Sequence, residues 1–414
     1  MTAETPARRI LVVGGGVAGL RCAQVVAARG HEVVVLEASD RVGGRMVTDV
    51  IDGFQIDAGF QLLNPSYPQA SRSLDLDGLC LGSFDAGMIL ADGHQNVILA
   101  DPLRRPGKAL GAVVAPVGSL WGRLRLGALL ARARFGSVRS LLSGIDEPAE
   151  QWLRRQGISD ATIDDVLRPF LAGVLLEDEL TSSGHLVALL LRSFGRGLPG
   201  LPAEGMGAIP AQMAAGLPAG SVRTSAPVAA VTRSSVTLHS GERLEGDAVV
   251  VAVAAGAVGA FVSGHEAPRS RSVTTWWFAA DEPLASGGTL VVDRTSGPVC
   301  NSVEMTAAAP SYAPAGRRLI QASSLGQAPG VDAERAVRRS LVSLHRADVM
   351  RWDLVATTVI PDALPACGAP LNLAPPIEVD GVLLAGDHVA TPSIQGAMAS
   401  GERAGLASLT LLDR

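Results

Sequence analysis

The run Gly14-Gly15-Gly16-Val17-Ala18-Gly19 sets glycine at Gly14, Gly16 and Gly19, the three positions of a G-x-G-x-x-G spacing. In that spacing the first glycine permits a tight turn, the second lets the backbone approach a pyrophosphate, and the third lets a helix pack closely on a strand. The helix that follows, with Ala18 in its first turn, offers unpaired N–H groups and about half a positive charge, which favours an anion without needing a lysine. Glu37 comes at the end of the next apolar run, near the spacing expected of a ribose ligand. Its carboxylate accepts from ribose hydroxyls and repels a 2′-phosphate, which argues against NADP and leaves FAD and NAD.

The next stretch separates these two. Glu37-Ala38-Ser39-Asp40-Arg41-Val42-Gly43-Gly44-Arg45 resembles the second signature of the flavin-containing amine oxidase and phytoene desaturase superfamily, where this loop wraps FAD. Asp57-Ala58-Gly59-Phe60-Gln61 resembles that superfamily's stretch near the flavin, and Val228 after Pro227 matches the position whose backbone contacts adenine. Ala385-Gly386-Asp387 resembles its C-terminal FAD motif, which continues through Thr391 to Ala397 and includes Ile394. The resemblance covers residues 9–62, 203–256 and 376–405 and implies an FAD-dependent oxidoreductase with non-covalent FAD. It gives cofactor roles to Gly14, Gly16, Ala18, Gly19, Glu37, Gly44, Arg45, Val228, Gly386, Asp387 and Ile394. Arg45 supplies a planar, permanently charged donor for the pyrophosphate. Asp387 accepts from ribitol or ribose hydroxyls. A helix capped by Ser393 aims its positive end at the flavin's pyrimidine edge.

Elements must hold these residues. Ile10–Val13 is a continuous apolar run expected of a parallel strand covered on both faces; a helix with inner face Leu20, Ala23, Gln24 and Ala27 follows, then a strand at Val33–Leu36. Short strands are expected around Val228–Val231 and Val236–Leu238, a buried strand at Ala248–Val253, and a strand at Val382–Ala385 leading to a small-residue helix. The fold class is therefore α/β, a discontinuous Rossmann-like FAD-binding domain (1–60, 202–256 and 376–414) with a separate α+β substrate domain (61–201 and 257–375). The stretch 61–200 reads as mainly helical.

On the substrate side, amine oxidases of this superfamily typically carry a lysine near flavin N5 and an aromatic pair flanking the amine. The single lysine, Lys108, lies far from the expected region, and the C-terminal cage position holds about Ser393. Substrate-pocket candidates are Phe60, Gln61, Trp276 and Trp277, the last two in the densest aromatic cluster of the chain. Cys367 precedes the C-terminal motif, but its context does not match a covalent flavin attachment. No catalytic residue is assigned. The expected activity is dehydrogenation of a C–C or C–N bond in a largely apolar small molecule; the alternatives are a flavin-binding module without turnover and a redox-neutral flavin-dependent isomerase.

Composition sets the outer bounds. The net charge of −5 gives no general attraction to nucleic acid, and the four scattered cysteines form no zinc or iron–sulfur spacing, so no metal is expected. Free thiols and the lack of a signal-peptide pattern point to the cytoplasm. From Arg104 to Ser143 eight bases occur without one acid, interspersed with leucines, valines and Trp121, which suggests a basic amphipathic surface able to touch an anionic membrane.

Overall fold

The computed structural model describes residues 7–108, 116–264 and 268–410. Along the chain run β1 (Arg9–Val13), α1 (Val17–Ala27), β2 (Glu32–Leu36), α2 (Leu120–Phe135), β3 (Ala248–Val251), β4 (Ser270–Ala280), β5 (Arg318–Leu325), β6 (Asp353–Pro365), β7 (Val382–Leu384) and α3 (Ile394–Thr410). Two large sheets carry the architecture, which is α/β as expected.

The first sheet has the order Glu378–Val379, β7, β3, β1, β2, Val222–Arg223. Its inner strands are parallel, with Ile10 opposite Ala248 and Val33, and Val250 opposite Leu383. The four strands β1, β2, β3 and β7 are apolar because both faces are covered, one by α1 and α3 and the other by the three-stranded sheet of Val228–Val231, Ser235–Leu238 and Arg243–Glu245; Ile10, Leu11, Val12, Val249 and Val250 are all fully buried. Strand order reverses at β1, with β2 on one side and β3 and β7 on the other. The crevice at the carboxyl end of β1 is therefore the topological switch point where α/β sheets bind ligands.

Helix α1 departs from the expected one-sided stripe. It buries Val17, Ala18, Gly19, Leu20, Cys22, Ala23, Val25 and Val26, nearly its whole circumference, while Gln24 and Ala27 are only half-buried. The reason is α3, which crosses it closely enough that a Cβ on Gly401 would lie 2.1 Å from the Ala18 carbonyl oxygen. A helix enclosed by a sheet and a second helix needs no polar side.

The second sheet has the order β6, β4, β5, Asn301–Glu304, Leu290–Asp293, Gly87–Ala91, Asn96–Ala100. The hairpin at 87–100 lies in the stretch expected to be mainly helical. It joins the sheet through parallel pairing of Met88 with Leu290, about two hundred residues away in sequence, a partner no local pattern announces. One face of this sheet packs Trp276, Phe278, Ile320 and Ala322 against Val337 and Leu341 of the helix Val331–His345; the other, with Trp277, Ala279 and Leu319, joins the core shared with the first sheet. Among the described residues no helix is long and apolar enough to cross a membrane, and no group of three or more His, Cys, Asp or Glu could hold a metal.

Candidate functional site

Parallel strands put the chemistry at one edge. The carboxyl ends of β1, β2 and β7 deliver Gly14, Glu37 and the Ala385-Gly386-Asp387 turn to the same side of the sheet. Gly14 has φ of 107°, donates its N–H to the Leu36 carbonyl at 2.8 Å, and leaves only 2.6 Å between a Cβ and the Ala252 carbonyl oxygen. Gly19 is tighter still, 2.0 Å from the Gly14 carbonyl oxygen. These two glycines serve chain packing. Gly16 differs: a Cβ there meets nothing nearer than the Gly43 carbonyl oxygen at 3.9 Å, and Gly44 faces it with 3.6 Å to the Gly16 Cα.

Gly16 is the N-cap of α1, has no side chain to satisfy the helix start, and the first turn carries no acid. A bridge between Gly16 and Gly43, and the Gly43 N–H donated to the Gly15 carbonyl at 2.9 Å, hold the 43–45 loop across that helix end. Uncapped N–H groups facing an open glycine cradle fit a diphosphate.

Glu37 is nine-tenths buried and already engaged. Its Oε2 accepts the Gly15 N–H at 2.7 Å and its Oε1 the Ser39 N–H at 2.9 Å. Each carboxylate oxygen has two lone pairs, so one acceptor position on each remains for a ribose hydroxyl. The Ala226 N–H donates to the Glu37 carbonyl and the Ser225 N–H to the Ser39 carbonyl, which sets Val228, at the head of the Val228–Val231 strand, beside this corner.

Arg45 is the hub. Its Nη2 pairs with Asp387 Oδ1 at 2.7 Å, its Nη1 donates to the Ala363 carbonyl on β6 at 2.7 Å, and its own carbonyl accepts from Gln61 Nε2 at 2.7 Å. Asp387 is buried, and the N–H of Gly386 donates to Ser400 Oγ at 2.8 Å. The sequence assigned Arg45 and Asp387 to separate parts of the cofactor; the structure pairs them directly. Ser393 Oγ accepts the Gly396 N–H at 3.0 Å, the geometry of an N-cap, and half-buried Ile394 opens α3 against the main core. Phe60 stands edge-on to Phe84 with centroids 6.2 Å apart.

Strand alternation divides the aromatic pair. Trp276 faces the helix Val331–His345 and donates Nε1 to Ser324 Oγ at 3.3 Å; Trp277 faces the opposite way, so the two do not share a pocket wall. Register places Val273, Thr275, Gln321, Ser323, Thr358 and Ile360 on the Trp277 face. That face meets the Asp57–Gln61 stretch at Gly59, where a Cβ would lie 2.4 Å from Ile360 Cδ1 and 3.8 Å from Thr275 Oγ1. Thr275 Oγ1 and Trp277 Nε1 are buried there without a hydrogen-bond partner among the described residues. Sequence reasoning singled out the tryptophans and missed Thr275; two-residue alternation through Thr275, Trp277 and Ala279 was the signal that could have found it.

Below the stretch, Asp57 accepts from Thr48 Oγ1 at 2.5 Å, the Met206 N–H at 2.9 Å and the Tyr312 hydroxyl at 2.8 Å. Burial outweighs these donors and pushes its carboxyl up to about 6. Cys367 packs against the helical cluster around Leu153, Leu186 and Leu191, and burial raises its thiol, which disfavours the nucleophilic thiolate.

With this geometry in place, comparisons with known proteins converge. Residues 17–405 match the family model described as flavin containing amine oxidoreductase. Chloroplastic protoporphyrinogen oxidase from Nicotiana tabacum is 30% identical over 174 residues, 41% of this chain and 29% of the tobacco protein, so the alignment spans under a third of that relative. Among solved structures, wild-type putrescine oxidase bound to putrescine shares a TM-score of 0.71 at 18% identity, covering 99% of this chain and 100% of that one. Reduced UDP-galactopyranose mutase shares a TM-score of 0.71 at 14% identity, covering 98% and 96%.

Proposed function

The chain belongs to the flavin-containing amine oxidoreductase family; from that premise we propose that it is an FAD-dependent oxidoreductase that dehydrogenates a C–C or C–N bond of a largely apolar, uncharged small molecule, using non-covalently held FAD. The observation that carries this reading is the sheet face at Gly59. It presents Val273, Thr275, Trp277, Gln321, Ser323, Thr358 and Ile360, none of them ionisable; Arg271, two residues before Val273 on the same strand, is engaged by Glu177 at 2.9 Å, and the chain's one lysine lies outside the second sheet.

Bound FAD supplies the acceptor for a hydride equivalent. The open cradle at Gly16 and Gly44 seats its diphosphate, Glu37 holds a ribose, and Arg45 and Asp387, linked to each other, fix the loop and the β7 turn on either side. Trp277 and Ile360 exclude water from the reacting C–H bond, while the unpaired Thr275 hydroxyl and Trp277 N–H donate to an acceptor atom on the substrate. The residues named on this wall offer a cation no carboxylate to pair with. Half-buried Cys367, whose thiol is raised by its surroundings, which disfavours the thiolate, supports non-covalent attachment.

An anaerobic titration of the yellow protein tests the reading. Neutral, largely apolar C–H donors should bleach the flavin band; putrescine, a dication, should not. Bleaching by cationic amines alone overturns the substrate class. Turnover that appears only after dithionite reduction, with no net bleaching by substrate, supports the redox-neutral isomerase reading instead. Acid precipitation should release free flavin, and a yellow pellet would overturn non-covalent binding.

A further inference from the structure

The basic stretch from Arg104 to Ser143 folds into a surface whose polarity is reversed. Residues 109–115 of it lie outside the described residues. Helix α2 docks one side, Leu129 and Ala133, onto Leu186, Val187 and Leu191 of the helix Gly184–Arg196, where Arg192 also donates to the Ala133 and Gly136 carbonyls. The opposite side would ordinarily be polar. Here Trp121, Leu124, Ala128, Ala131 and Phe135 recur at i, i+3, i+7, i+10 and i+14 and all face solvent, with Trp121 61% exposed, Leu124 55% and Phe135 71%. The stripe runs about 21 Å along the helix.

Its charges have one sign. Arg104 and Arg134 are committed to Asp101, and Arg105 to Asp85. Arg125 and Arg132 lie on the exposed stripe and Arg139 just beyond it, and none of the three pairs with a carboxylate among the described residues. Arg125 stacks its guanidinium 4.7 Å over the Trp121 ring, so cation and aromatic present together.

We propose that this face of α2 docks on an anionic lipid bilayer, with Trp121, Leu124 and Phe135 entering the headgroup boundary and Arg125, Arg132 and Arg139 against anionic headgroups. Charge complementarity selects this occupant over a second copy of the chain: a two-fold contact through the stripe would bring the same arginines against their own counterparts. The surface is a convex helix side with protruding apolar tips, a shape suited to lying in an interface plane.

Flotation of the flavin-loaded full chain with vesicles tests it. Vesicles of phosphatidylcholine with a third phosphatidylglycerol should carry the protein up at 50 mM salt, and pure phosphatidylcholine should not. A triple variant R125Q/R132Q/R139Q should weaken partitioning about a hundredfold, at about fivefold for each arginine near the surface. The double variant W121S/F135S should abolish flotation, with the flavin spectrum and thermal midpoint as evidence of folding. Equal flotation or equal non-binding on both vesicle types overturns the proposal. So does a concentration-dependent dimer that W121S/F135S dissolves without any lipid effect, which would assign the face to self-association, or flotation that the triple variant leaves intact.

Discussion

Gly14 and Gly16 are two residues apart and constrained by different things, which makes them separable in experiment. Gly14→Ala forces a side chain into a positive-φ position against the Ala252 carbonyl oxygen and should cost about 1–3 kcal/mol of stability, read as a lower unfolding midpoint of the apoprotein. Gly16→Ala adds a Cβ that meets no protein atom nearer than 3.9 Å, so the apoprotein should melt much as before while the purified protein loses its yellow colour. A Gly16→Ala protein that retains stoichiometric flavin would refute the cradle. Asp57 allows a second measurement at this scale. A carboxyl whose folded value is raised from 3.8 to about 6 binds more protons in the native state between those values. Its contribution to stability is fully present below about pH 4 and fades as pH rises through 6, at about 1.4 kcal/mol for each tenfold gain in proton affinity on folding. Asp57→Asn keeps the Thr48, Met206 and Tyr312 contacts in reach and should flatten that part of the profile; denaturant midpoints of both proteins from pH 4 to 7 show whether the difference has the stated sign.

The strand β4 argues the same way one scale up. Thr274 and Thr275 are neighbours on opposite faces. Thr274 donates to the Gly326 carbonyl at 2.9 Å and accepts from the Ala328 N–H at 3.0 Å, whereas Thr275 has no partner among the described residues. Thr274→Val should therefore destabilise by about 1–3 kcal/mol with little change in kcat/KM, and Thr275→Val should stabilise the free protein by up to about 1 kcal/mol while lowering kcat/KM. If both variants melt lower and turn over alike, the face at Gly59 is ordinary core. This strand also marks where the sequence stopped being legible. The glycine spacing, Glu37 and the apolar runs of β1, β2, β3 and β7 are local signals, and each lies where the pattern put it. The Trp276-Trp277-Phe278 cluster is local too, but which ring meets the site depends on register with β5 and β6. The Arg45 contacts to Asp387, Ala363 and Gln61 join four segments of chain, and nothing within any one of them declares the others.

For the molecule as a whole, the candidate site's parts come from residues 14–61, 225–228, 275–277, 360–363 and 386–394, so FAD bound there would brace segments from the whole length of the chain. Stripping the flavin should lower the thermal midpoint, and excess FAD should restore it, worth about 2.7 kcal/mol at a free concentration one hundred times Kd. A midpoint indifferent to FAD would mean that the ligand binds a peripheral piece. The same wide reach explains the hairpin at 87–100 that the sequence left among helices: a strand pair completed by residues two hundred positions later has no short-range signature.

The contact between α1 and α3 has a temporal consequence. Gly401 and Gly405 sit against Ala18, Cys22 and Val25, so the wall that encloses α1 is synthesised long after α1 itself. The unit of β1, α1 and β2 also waits for β3, the neighbour of β1 on its other side, and for β7 beyond it. The vitamin-derived pigment therefore finds a finished seat only once α3 has been made and laid against α1.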